Sequence, residues 1–225
     1  RKALRDCMNY PPGPVALAMD PRTLELAWED SDLVWEVPQT QKARPRAGGG
    51  LPEDIEKAVR MLRDAERPVM VGGDGIWWAD AAAELQELSQ LLQIPTSCRR
   101  MARGSIPEDG PLAIHGSWRT QFWQEADVIM GVGIRLSNLE ARGEPPAWPP
   151  KAKRIIVHED VRDAWSPLPA ELEIIANHKA ALRQMIDCAR SLVKTPPKRT
   201  AWLEHLERVR SNFETGMAES IKEVR

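Results

Sequence analysis

The residues whose types could do chemistry gather in a few short stretches. In RPVMVGGDGIWWADAAAELQEL, residues 67–88, an apolar run reaches Gly72, Gly73, Asp74 and Gly75 and then turns to helical spacing. A strand, a tight glycine turn and a helix start can cradle phosphate, because the first N–H groups of a helix have no partner of their own. Gly73-Asp74-Gly75 also fits a second chemistry, a diphosphate held through a metal. Glycine is equally the default residue of a bare strand-to-helix turn. From this loop alone, phosphate contact and bare turn stand level, because GGDGIW is not GxGxxG followed by a suitably placed acid.

Arg99, Arg100 and Arg103 follow IPTS, and Arg135 follows ADVIMGVG. Guanidinium groups suit phosphate oxygens through paired donors, and the plain alternative is a solvated surface arginine. Asp160 closes KRIIVHED, where it accepts from ribose hydroxyls or caps the following VRDAW. His158, Glu159 and Asp160 are adjacent, so on a strand they alternate faces and do not converge on one ion. Cys7, Cys98 and Cys188 are far apart, odd in number and without CxxC, which fits a reducing cytoplasm and gives no metal site. His115 stands alone. Trp77-Trp78 read as packing or a domain-contact surface rather than a stacking platform. GxSxG, HExxH and a Cys-His pair are all missing from the sequence. The chain alone therefore reads as less than a complete enzyme.

The elements that must position these residues follow from periodicity. LPEDIEKAVRMLRDAER has Pro52 in the first turn, acids after it, and Ile55, Ala58, Val59 and Leu62 at helical spacing. Strands are expected at 69–71, 94–97, 112–116, 126–133, 153–160 and 172–176, with a further one at 15–19. Helices are expected at 79–92, 119–126 and 178–193, and a long one after TPPKRT with Trp202, Leu206, Val209, Phe213 and Met217 on one stripe. Short apolar strands alternating with helices imply an α/β fold, a parallel sheet of about six strands with helices on both faces. Ligands of such sheets sit beyond the carboxyl ends of the strands, at the switch point. Gly72–Gly75, Arg99–Gly104, Gly131–Arg135 and His158–Asp160 would all meet on that edge.

Composition sets the outer bounds. The chain has 225 residues, 42% hydrophobic and 28% charged, which is ordinary for a soluble globular protein. A net charge of -2 and a pI near 6.2 argue against a general nucleic-acid binder. The sequence has no apolar run of about 18 residues, so no membrane helix is expected. The opening RKALRDCMNY has neither Met nor a signal-peptide pattern and reads as the end of a helix cut from a longer polypeptide. VPQTQKARPRAGGG reads as a linker.

Four runs carry a family resemblance: ERPVMVGGDG, AELQELSQLLQIPTSCRRMARGSIPEDGPL, EADVIMGVGIRL and PKAKRIIVHED. Together they resemble the central, DHS-like Rossmann-type domain of thiamine-diphosphate-dependent enzymes. That group includes acetolactate synthase, oxalyl-CoA decarboxylase, 2-hydroxyacyl-CoA lyase and benzoylformate decarboxylase. Met101, Ala102, Arg103 and Gly104 stand at the family's MGKG, and Ile106-Pro107-Glu108-Asp109 match its IPED. GPVALAMDP is similar to the GPVxLxIP that closes the preceding pyrimidine-binding domain. The resemblance covers roughly residues 8–193. It implies residues 1–20 as the end of the pyrimidine-binding domain, 21–50 as linker, 51–193 as the central domain, and 194–225 as linker and helix toward a C-terminal domain.

The resemblance also assigns the chemistry. Thiamine diphosphate and Mg2+ belong to the parent enzyme and are held by its pyrimidine-binding and diphosphate-binding domains. The family's metal-binding GDG lies in that last domain and is completed by a nearby Asn. The first Asn after Gly75 is Asn138, on a different strand exit, so Gly73-Asp74-Gly75 is a coincidental match. In some relatives the central domain binds FAD, in others ADP or the ADP part of CoA, and in others nothing. The residues implied for such a ligand are Gly72, Gly73, Asp74, Gly75, Arg100, Met101, Gly133, Arg135 and Asp160. GIRLSN keeps Gly133 and Arg135 of GxRFDDR but neither acid, which is closer to the hydroxyacyl-CoA lyases than to an FAD-type synthase. His158 replaces the first acid of a common Asp-x-Asp, and Ala176-Asn177 replaces a common Gly-Asp. The expected parent is a cytoplasmic homo-oligomer that breaks or makes a carbon–carbon bond beside a carbonyl, on CoA-linked substrates or as an acetolactate-synthase-type transferase. A non-catalytic nucleotide-binding or scaffold domain is the alternative. A nicotinamide oxidoreductase is disfavoured by the absence of GxGxxG.

Overall fold

The computed structural model describes residues 3, 6–7, 13–27, 29, 48–116, 118–163 and 168–223. The expected helix end at 1–9 and most of the expected linker lie outside the described residues. The chain forms two compact units, residues 1–47 and 48–225.

The described part of the first unit contains α1 (Pro21–Leu24), whose N-cap Asp20 accepts the Arg22 N–H through Oδ1 at 2.9 Å. Residues 15–19 are not a strand, contrary to expectation: they pair with no strand among the described residues. Val15, Leu17 and Met19 alternate as a strand would, and all three are exposed. Alternation fits a pleat, but a ladder also needs a partner edge.

The second unit is built on six parallel strands: β1 (Pro68–Gly72), β2 (Thr96–Cys98), β3 (Ala113–Ile114), β4 (Val128–Val132), β5 (Lys153–His158) and β6 (Leu172–Ile175). Their order is β3-β2-β1-β4-β5-β6, so the chain winds outward from β1, returns, and winds the other way from β4. Five ladders, all parallel, fix the register, with Met70 opposite Thr96 and Met130. All carboxyl ends thus share one edge, with the switch point between β1 and β4. The expected α/β fold of about six strands is what forms.

Strand alternation divides the core. Met70, Met130, Ile155 and Val157 face one layer, packed by α2 (Pro52–Asp64), α4 (Ala82–Leu92) and α6 (His178–Leu192). Val69, Val71, Ile129 and Ile156 face the other, packed by α5 (Arg119–Trp123) and the first half of α7 (Thr200–Glu223). α2 buries Ile55, Ala58, Val59 and Leu62, as its spacing predicts. The helix expected at 79–92 forms from Ala82, and an additional short helix precedes it. A short α3 (Asp74–Trp78) follows the glycine turn, Asp80 takes a left-handed φ of 53°, and α4 starts afterwards. Asp tolerates that conformation better than most residues, which is why the break sits there. On α7, Trp202, Leu206 and Val209 are buried, whereas Met217 is exposed despite lying on the same stripe. Among the described residues, no helix is long and apolar enough to cross a membrane.

Candidate functional site

The carboxyl edge brings the expected loops together, with the glycines at its centre. Gly73 N–H donates to Val132 O at 2.9 Å, and Gly75 N–H donates to Gly133 O at 3.0 Å. The β1 and β4 exits therefore clasp one another at the switch point. A Cβ on Gly73 would lie 2.4 Å from both Gly133 O and Ile134 Cα, and one on Gly75 would lie 2.7 Å from Gly133 Cα. Gly133 has a φ of +60°, which suits glycine. Gly72 serves packing from below, where a Cβ would lie 2.8 Å from Leu85 Cδ2. Two of the N–H groups that a phosphate cradle would use, those of Gly73 and Gly75, are thus committed to carbonyls of the same chain.

The charged residues around the clasp are paired as well. Asp74 Oδ1 accepts the Met101 N–H at 3.1 Å, and its Oδ2 lies 3.7 Å from Arg100 Nη1. This ties α3 to the 3-10 turn Arg100–Ala102, in which Arg100 itself has a φ of 53°. Arg135 donates to Asp163 at 2.8 Å and remains largely exposed. Its guanidinium pKa is raised, first by the bond to Asp163 and further by Asp74 and Asp160. Asp160 accepts from the Arg162 side chain and from its N–H at 2.8 Å, and the first of these leads in holding its carboxyl down to about 2. Arg103 pairs with Glu108 at 2.9 Å. The structure brings all nine expected residues to one edge, the glycines in contact and the charged ones in local pairs. Trp77 and Trp78 stand beside them, edge to face at 4.9 Å and each 56% exposed. A groove of about 580 Å3 lies elsewhere, at the amino edge between α2 and the starts of β4 and β5.

Asp74 does not fit a metal-diphosphate site. Its oxygens already face a backbone donor and a guanidinium, and that guanidinium would repel an added cation. Among the described residues, no three His, Cys, Asp or Glu side chains gather as a metal set.

Sequence reasoning singled out Arg99, Glu159 and Asn177 but missed what they meet underneath, Glu140 and His178. Arg99 bonds the buried Glu140 through Nε and Nη2, at 3.0 to 3.2 Å, joining the β2 exit to the loop after β4. Glu159 Oε1 accepts from Asn177 Nδ2 at 2.8 Å and from His178 N–H at 3.1 Å, while Asn177 N-caps α6. The buried His178 ring has Nδ1 3.2 Å from Glu159 Oε1, out of line for a hydrogen bond. The signals available were an Asn before a helical run and a strand ending in acids.

His158 is buried, with Nε2 2.8 Å from Ile134 O and its ring 6.2 Å from that of His178. Burial is the main cause that pushes its pKa below the usual 6.5; His178 and Arg135 add to that, and the Ile134 carbonyl and Asp163 oppose it. As the pH falls through 6.5, the unfolded chain therefore takes up this proton before the folded chain does. The His158 contribution to stability is expected to be complete well above pH 6.5 and to be lost progressively as the pH falls below 6.5. His158→Gln, whose amide still reaches the carbonyl, should flatten that decline in urea titrations. An unchanged slope would remove His158 as its source.

Comparison with known proteins agrees with this architecture. The family model described as thiamine pyrophosphate enzyme, central domain, matches residues 55–185. A probable acetolactate synthase large subunit of Methanocaldococcus jannaschii is 31% identical over 70% of this chain and 27% of its own length. A 2-hydroxyacyl-CoA lyase of Arabidopsis thaliana is 36% identical over 57% of this chain and 22% of its own. The crystal structure of benzoylformate decarboxylase from Polynucleobacter necessarius superposes with a TM-score of 0.60 at 19% identity, covering 81% of this chain and 34% of that one, a likeness of fold. The chain thus spans about a third or less of these proteins. A match running through both halves of the doubly wound sheet, from α2 into α6, places this chain in the thiamine pyrophosphate enzyme family as a central domain.

Proposed function

We propose that this domain is the bridge of a thiamine-diphosphate-dependent enzyme that makes or breaks a carbon–carbon bond beside a carbonyl. The cofactor supplies an acyl-anion equivalent in such chemistry. Thiamine diphosphate and Mg2+ belong to the flanking pyrimidine-binding and diphosphate-binding domains of the parent, a homo-oligomer. The role of this domain is to hold those two at a fixed separation. One observation carries the reading: the Gly73 and Gly75 N–H groups are donated to Val132 and Gly133, so the edge is a closed joint. The exposed Trp77-Trp78 pair adds a surface of the kind that domains bury between them. For the parent, a lyase or decarboxylase acting on 2-hydroxyacyl or 2-oxoacyl substrates linked to CoA is favoured by Gly133-Ile134-Arg135-Leu136 and by the lyase relative. The acetolactate synthase relative supports a transferase instead.

A second reading is an adenine nucleotide on the outer rim. It is favoured by the exposure of Arg100 and Arg135, whose ion pairs are each worth about 0–1 kcal/mol and yield readily to phosphate. In it, Arg100 and Arg135 meet the diphosphate, Asp160 a ribose, and Gly72 to Gly75 and Met101 form the floor. Calorimetric titration of the 225-residue chain with ADP, CoA and FAD, beside inorganic pyrophosphate, separates the two. The bridge reading expects none of the three to bind more tightly than pyrophosphate, and no effect of Arg135→Ala. ADP and CoA binding that beats pyrophosphate and weakens about tenfold in Arg135→Ala would replace it with the rim site. FAD binding alone would point to the acetolactate-synthase branch.

A further inference from the structure

The last helix outruns the layer it packs into. Trp202, Leu206 and Val209 of α7 are buried in the same cluster as Phe122 and Trp123 of α5, and Phe213 packs against that cluster half-buried. From residue 214 to residue 222 every position is exposed. That is about two and a half turns of helix left to water. Helical segments of that length gain little from their own hydrogen bonds, and in proteins they are stabilised by packing an apolar face.

Such a face is present and uncovered. The large apolar residues of 214–222 are Met217 and Ile221, 47% and 52% exposed. Both continue the row of Val209 and Phe213, which is spaced by four residues. A row of that spacing is a ridge, and two such ridges interlock at a crossing angle of about −50°. The same helix also walls a hollow of about 360 Å3 beside α5, lined by Trp118, Gln121, Val209, Asn212 and Phe213. Trp118 and Phe213 flank one spot there, since a Cβ on Gly116 would lie 3.7 Å from Trp118 Cδ1 and 3.9 Å from Phe213 Cε1. Ridge and hollow sit about one turn apart on one rigid helix, so the ridge of a single copy cannot fill its own hollow. Across a two-fold axis it can, because the same patch then supplies both halves of the contact. Charge has the same self-complementarity. Arg208 and Glu219 are both exposed and, being three turns apart, share one flank of α7. An antiparallel pair sets like flanks side by side in opposite directions, which brings Arg208 of each copy toward Glu219 of the other.

We propose that α7 is a docking surface for a second copy of this chain. The two helices pair antiparallel through Phe213, Met217 and Ile221, and each Met217 enters the hollow between α5 and α7 of the other copy. A thioether suits that seat, being flexible and polarisable against aromatic walls. The contact is smaller than that of permanent dimers, so association depends on concentration, with a Kd of about 1–100 µM. The surface belongs to α7 and α5 and does not rest on the chemistry of the parent enzyme.

Sedimentation velocity of the whole 225-residue chain, from about 1 µM to about 1 mM, tests this. The wild type is expected to pass from monomer to dimer across that range. Met217→Gln and Ile221→Gln replace exposed residues and keep helix propensity, so both should match the wild type in circular dichroism while each raises the Kd at least tenfold. Arg208→Glu should raise it several-fold, and adding Glu219→Arg should restore it, a recovery that a loss of folding would not show. Trp77→Ser with Trp78→Ser removes the other exposed aromatic patch and should leave the Kd unchanged. A chain that stays monomeric to about 1 mM would overturn the pairing, with the stripe left for another segment of the parent to cover. A dimer indifferent to both Gln variants, or one lost with the tryptophans, would overturn it as well. Loss in Arg208→Glu without recovery in the charge-swapped double variant would overturn the antiparallel arrangement.

Discussion

Gly73→Ala is expected to cost the folded chain about 3 kcal/mol, far more than an alanine usually costs in a loop. The cause is not backbone torsion, because Gly73 has a φ of -108°, which any residue adopts. It is contact: the added Cβ would lie 2.4 Å from Gly133 O, 2.4 Å from Ile134 Cα and 2.8 Å from Ile134 Cβ. The first two atoms are backbone and have no rotamer in which to retreat. Either the β1 exit or the β4 exit must move, and the bonds Gly73 N–H to Val132 O and Gly75 N–H to Gly133 O lengthen with it. Gly104 and Gly216 serve as controls, since a Cβ at either meets nothing within 4 Å. At Gly104 the φ of +87° makes alanine unfavourable by about 1 kcal/mol through torsion alone. Within α7, Gly216→Ala should stabilise by about 0.5–1 kcal/mol. Urea denaturation of the three variants gives the order directly. If Gly73→Ala costs no more than Gly104→Ala, the two sheet halves are not held together by this clasp.

That clasp also marks where the sequence stops being readable. The strands were legible because β1 and β4 are short, apolar and fully buried, and because each glycine cluster falls at a strand end. Parallel winding then put every strand exit on one edge. What the glycines pack against was not legible, because Gly73 and Gly133 meet only after the chain has built β2 and β3 and returned. The arginines show the same limit. Arg99 finds Glu140 at a separation of 41 residues, and Arg135 finds Asp163 at 28, beyond any helical or strand period. An arginine after a strand looks the same in sequence whether it awaits a phosphate or already holds a carboxylate. Local pairs were within reach, since Asp160 and Arg162 are two residues apart. The strand expected at 15–19 failed for the opposite reason: its alternation was present, and a partner edge was not among the described residues.

The residue least visible in the sequence carries the second large effect. Arg199→Met is expected to cost about 3 kcal/mol or more. TPPKRT only precedes the expected long helix, and nothing in its sequence singles out Arg199. In the structure Arg199 is only 5% exposed. Its Nη1 donates to Leu92 O, and its Nη2 donates to Leu62 O and, at 3.2 Å, to Arg63 O. Those carbonyls belong to the last turns of α4 and α2, where helices run out of their own donors and carry partial negative charge. One planar fork thus caps two helices and pins the chain where α7 begins. Burial pushes the guanidinium pKa down to about 10, which leaves it charged at neutral pH. Methionine fills much of the same space but removes the donor from two buried carbonyls, Leu92 O and Leu62 O, and from the half-buried Arg63 O. Lysine keeps the charge, yet an ammonium is a single point and cannot reach both helix ends as the fork does. Arg199→Lys should therefore recover less than half of the loss. Hydrogen exchange adds a local readout, because freed ends of α2 and α4 exchange faster than the centres of those helices. Equal stability of Arg199→Lys and wild type would mean that charge alone is sufficient, and that the two-helix cap is not what holds this segment down.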